Sequence, residues 1–93
     1  MQYPDKIYEC ITGGETYLVT HEEAIVLSQS MRLINQNPGW RIWNKLNTTN
    51  KGAIYQYLDA FILVDRFNSN QNYFNLIESS SHNYNKLMEV EYE

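Results

Sequence analysis

The sequence predicts an α+β domain, one helix packed on an antiparallel sheet of four to six strands in a ββαβββ-like order. Three observations lead there. One stretch, Thr20 to Asn37, carries helix signals at both ends. The segments around it are short, rich in β-branched and aromatic residues, and bounded by Gly, Pro, Asn and Ser. Gly13-Gly14 separates the first two of them, and a two-residue glycine loop is a strong hairpin signal. The chain of 93 residues makes one domain, 1–93. A chain of that size buries roughly 65% of its unfolded surface, enough for one modest core.

Taken in order, Lys6 to Ile11 (KIYECI) reads as a strand, with Ile7, Glu9 and Ile11 on one face and Tyr8 and Cys10 on the other. Thr16 to Val19 returns antiparallel after the glycines. In the helix Thr20 stands as N-cap with Glu23 at the capping-box spacing, and Glu22 and Glu23 place negative charge where the helix dipole favours it. Asn35, Asn37, Pro38 and Gly39 end it. At 100° per residue, Ala24, Leu27, Met31 and Ile34 share the face that should meet the sheet. Val26 and Leu33 form a second apolar stripe, to be covered by a loop or by a second copy of the chain; Ile25 lies further round, near Arg32, and should be exposed.

Beyond the Pro38-Gly39 turn, Trp40 to Leu46 alternates as a strand, with Arg41, Trp43 and Lys45 on one face. Asn47 to Gly52 is a loop of turn formers. Ala53 to Tyr57 and Phe61 to Arg66 read as strands with a break at Leu58-Asp59-Ala60; a helix over Tyr55 to Phe67 is the competing reading. Tyr73 to Ile77 is a short apolar element, and Ser79 to Asn83 a loop. Met88, Val90 and Tyr92 alternate with Glu89, Glu91 and Glu93, which predicts a last strand with an acidic outer face.

The net charge of −4 argues against non-specific DNA binding. Residues 1–46 hold five acids and four bases and residues 47–93 six acids and three bases, so the negative charge gathers in the second half. One cysteine excludes an intramolecular disulfide and suits a reducing compartment. The opening MQYPDKIYEC has no charged start followed by an apolar run, and the longest apolar run, Ala60 to Val64, is too short to span a bilayer. Together these predict a cytoplasmic protein. Eight tyrosines, residues over-used at interfaces, point to binding.

No motif predicts catalysis, a metal or a cofactor. His21-Glu22-Glu23 fails the H-E-x-x-H zinc pattern because position 25 is Ile. Cys10 could meet His21 or His82 only through folding, and within an apolar strand it reads as a small buried hydrophobe. Gly13-Gly14 opens no helix and so makes no phosphate loop. Two surfaces remain. Asp59, Asp65, Glu89, Glu91 and Glu93, with Glu78, offer carboxylates to a basic protein groove. Arg41, Trp43 and Lys45 offer a ring for a base and cations for phosphates.

The run KIYECITGGETYLVTHEEAIVL, in which Val19-Thr20 closes a strand and Glu22-Glu23-Ala24 opens a helix, resembles small phage and prophage accessory proteins. That resemblance implies a protein that occludes a host machine in the host cytoplasm, as anti-CRISPR and other anti-defence proteins do. The expected function is a non-enzymatic, protein-binding inhibitor of a host nucleic-acid-handling or defence protein. The alternative is a small nucleic-acid-binding regulator using the Arg41–Trp43–Lys45 face. Homodimerisation through Val26 and Leu33 is the accompanying expectation.

Overall fold

The computed structural model describes residues 3–68, 72–81 and 84–88. Strand β1 (Lys6–Thr12) and β2 (Glu15–Val19) form a hairpin, α1 (His21–Leu33) follows, and then come β3 (Gly39–Thr48), β4 (Ala53–Tyr57), β5 (Ala60–Asn68), β6 (Tyr73–Ser81) and a short α2 (Tyr84–Met88). The described strands make one antiparallel sheet in the order β2-β1-β3-β4-β5-β6. The expected α+β character and antiparallel sheet are both present. The molecule is richer in strand than the ββαβββ order allows, because the chain after β5 continues as β6 through Ser79, Ser80 and Ser81. Those serines pair with Ile62, Phe61 and Ala60, and the ladder overrides their turn preference.

The turns follow local chemistry. Gly13 and Gly14 both take positive φ (53° and 86°), as a primed hairpin turn requires, and Thr12 pairs with Glu15 across it. The break after Tyr57 is a two-residue hairpin. Leu58 adopts φ 53° there, and Gln56 Nε2 donates to its carbonyl at 2.9 Å. At the β3–β4 turn, Thr49 Oγ1 accepts from Lys51 N–H and Gly52 N–H, and Gly52 packs so tightly that an added Cβ would lie 2.0 Å from the Val64 carbonyl oxygen.

Helix α1 starts as the sequence indicates, with Thr20 Oγ1 accepting from Glu23 N–H at 3.3 Å. It stops earlier than Asn37. Asn35 turns left-handed (φ 59°), its N–H reaches the Arg32 carbonyl at 3.2 Å, and the Gln36 N–H reaches the Met31 carbonyl at 2.8 Å. That pair of bonds is the Schellman stop, with asparagine in the glycine position. Ala24 and Met31 are buried against the outer face of β1, where Met31 Sδ lies 3.9 Å from Cys10 Sγ. Leu27 is half-buried and Ile34, at the cap, is exposed, so the helix meets the sheet along a narrower line than the four-residue face expected.

The sheet curls. Register sets Ile7 opposite Trp43, Tyr55 opposite Ile62 and Ala53 opposite Val64, all facing inward into one core with Leu18 and Phe74. Residues 3–5 cross one end of it: Tyr55 OH donates to the Pro4 carbonyl at 2.6 Å and Lys45 Nζ to the Tyr3 carbonyl at 3.1 Å. On the outer side, Ile54 and Leu63 are sealed by Leu87 of α2. Met88, expected to begin a strand, therefore lies in a helix: Tyr84 and Leu87, three apart, share the side that packs on Phe61, Ile54 and Leu63. Val90 and Tyr92 lie outside the described residues. No described helix is long and apolar enough to cross a membrane.

Candidate functional site

The curl brings the two edges of the sheet, β2 and β6, side by side with no ladder between them. An aromatic stack spans this seam: the Tyr17 and Tyr73 rings lie 4.9 Å apart at 21°. The Tyr17 hydroxyl donates to the Glu15 carboxylate. Behind the stack a cleft of about 360 Å³ opens between Thr16, Tyr17 and Leu18 of β2 and Tyr73, Phe74, Asn75 and Leu76 of β6. Glu9, Trp43 and Ile62 complete its lining. Period-two alternation supplies that lining, since Glu9 shares the inward face with Ile7, and Trp43 the inward face of β3.

Glu9 is the one charged group on the cleft wall among the described residues. Its side chain is only 13% exposed, and a carboxylate so placed needs donors. Trp43 Nε1 donates to Oε1 at 3.0 Å, and Arg41 Nη1 lies 3.8 Å from that same oxygen. No described donor reaches Oε2. Arg41 does not line the cleft; its guanidinium sits 5.7 Å from the Tyr57 ring.

Arg41, Trp43 and Lys45 do share one strand face, and that face is the inside of the curl. Trp43 is 5% exposed and packs against Tyr57, so its ring offers no open platform for a base. Lys45 is held at the end of the core that residues 3–5 cross, by the Tyr3 carbonyl and by Asp5, 3.7 Å away. Asp59 and Asp65 do not share one patch. Glu89, Glu91 and Glu93 lie outside the described residues. Asp59 is exposed in the β4–β5 turn, and Asp65 sits six positions along, within the register irregularity of β5. At about 3.3 Å per residue the two are roughly 20 Å apart, beyond a physiological Debye length of about 8 Å.

The second stripe of α1 is uncovered. Leu33 is 85% exposed and Val26 53%, with Ile25 and Ile34 exposed beside them. Both stripe residues fall more than a quarter-turn from the Ala24–Met31 line, so no described loop reaches them. Cys10 is fully buried and its thiol is pushed above the ordinary range by loss of solvent. The His21 ring packs on Tyr8, 5.2 Å between centroids, and His82 lies outside the described residues. Among the described residues no three His, Cys, Asp or Glu side chains converge to hold a metal ion.

Sequence reasoning missed the cleft. Its one legible signal was Glu9, an acid on an otherwise apolar strand face between Ile7 and Ile11. Neither a family model, nor a curated protein, nor a solved structure matches the chain.

Proposed function

We propose that the chain is a non-enzymatic protein-binding protein, an inhibitor that occludes a nucleic-acid-handling or defence protein of a bacterial host, as its resemblance to phage accessory proteins implies. One observation carries the binding part of that reading: Val26 and Leu33 stand in solvent on the outer face of a single well-capped helix, with Ile25 exposed on one flank and Ile34 on the other. An exposed aliphatic stripe on a helix face is characteristic of docking surfaces. Helix α1 is held to the sheet through Ala24 and Met31, so the outer residues are free to serve a partner without loss of the core.

Affinity capture from a nuclease-treated bacterial lysate tests this reading. A protein retained by the wild-type chain and lost with Leu33→Glu supports it. Loss of all captured material on nuclease treatment favours the nucleic-acid alternative. The same stripe suits a second copy, and sedimentation at micromolar concentration separates that outcome: a dimer dissociated by Leu33→Glu identifies the chain as its own partner.

A further inference from the structure

We infer that the β2–β6 cleft receives a lysine or arginine side chain presented by a partner protein. The inference rests on the protein-binding reading and names the chemistry its partner must show. The cleft falls within the roughly 300–1,000 Å³ typical of ligand sites, and its walls are graded. Leu18 and Leu76 supply aliphatic surface of the kind that long basic side chains cover with their methylenes. Tyr73 adds ring surface, which attracts a cation through the negative face of the π system, and the buried Phe74 and Trp43 close the cleft behind it. Glu9 supplies the charge.

Glu9 Oε2, which no described donor reaches, decides the ligand class. An apolar ligand would strip water from that oxygen and return no hydrogen bond, which is costly for a charged acceptor. An anion would be repelled. An ammonium or guanidinium group donates to it and is itself neutralised. No described cationic side chain lines the cleft to compete with the ligand. Arg41 offsets part of the Glu9 charge from outside, through the oxygen that Trp43 already occupies. Among the described residues no strand pairs with the outer edges of β2 and β6 beside the mouth, and these edges add backbone groups that a peptide can meet and a free amine cannot.

The test uses the full chain and four probes: acetylated, amidated tripeptides with lysine, arginine or norleucine between glycines, and n-butylammonium. The Trp43 indole N–H resonance reports binding. The lysine and arginine peptides should shift it in a saturable way; the norleucine peptide should not, and n-butylammonium should bind several-fold more weakly. Glu9→Gln, which keeps an acceptor for Trp43, should weaken the lysine peptide about tenfold. Tyr73→Leu, which keeps apolar volume, should weaken it about fivefold. Preserved spectral dispersion checks that each variant folds. Norleucine binding as tightly as lysine overturns the assignment, as does silence from all probes up to about 10 mM. Butylammonium binding as tightly as the lysine peptide overturns the protein source of the cation. In each of those cases capture through Leu33 is read separately, so the protein-binding proposal stands or falls by its own experiment.

Discussion

The β4–β5 wall and the β2–β6 seam use similar residues and finish differently. In the wall, Ile54, Tyr55, Leu63 and Val64 are fully buried, because the curl covers one face and Leu87 the other. At the seam, Tyr17 and Tyr73 stack across two strands that share no ladder, and Leu76 stays half in solvent. The two helices repeat the contrast. Five residues of α2 suffice to close the outer wall, whereas thirteen residues of α1 bury two side chains and leave an apolar stripe outside. The difference teaches where to look for function. Regions satisfied on both faces hold the fold, and the proposed binding surfaces lie where apolar groups and backbone edges are left over.

The wall should be the first place to break. Gly52→Ala forces a Cβ against the Val64 backbone, which cannot yield without disturbing the β4–β5 ladder. Urea denaturation should show a loss of about 3 kcal/mol or more. Leu87→Ala and Leu33→Ala set the two helices side by side: the first should cost about 2–4 kcal/mol through a cavity over Ile54 and Leu63, the second no more than about 0.5 kcal/mol. Equal costs would mean that the outer stripe of α1 is covered after all.

Tyr55 gives the wall a pH signature. Burial raises its pKa above the ordinary value near 10, with Tyr3 and Asp5 adding to the shift. The folded state keeps the proton after the unfolded chain has lost it. This stabilisation is complete below pH ~10 and is lost as pH rises towards the folded pKa, at about 1.4 kcal/mol per pH unit. Melting followed from pH 8 to 11 should show that decline in the wild type and its absence in Tyr55→Phe. The smallest expected effect is at the start of α1: Thr20→Ala should cost about 1 kcal/mol through the lost cap.

Much of the strand and turn pattern was legible, since alternation and turn chemistry are local. Gly13-Gly14, Thr20 and the alternation that sets Arg41, Trp43 and Lys45 on one face each act within a few residues, whereas the inward turn of that face does not. What escaped was non-local. Three serines joined β6 because Ile62, Phe61 and Ala60 lay opposite them, and Met88 joined a helix because Leu87 had Leu63 to cover. The break at Leu58-Asp59-Ala60 was legible, but the left-handed backbone of Leu58 was not, because the hairpin imposes it. The cleft depended on the curl of the whole sheet, which no single segment encodes, so Glu9 alone hinted at it.

Native-state amide hydrogen exchange addresses the open seam directly. The β2 and β6 amides turned away from β1 and β5 should exchange orders of magnitude faster than those of β4 and β5, whose opening approaches global unfolding. Protection of the seam amides equal to that of the wall would show a closed ladder between β2 and β6, and would contradict the account.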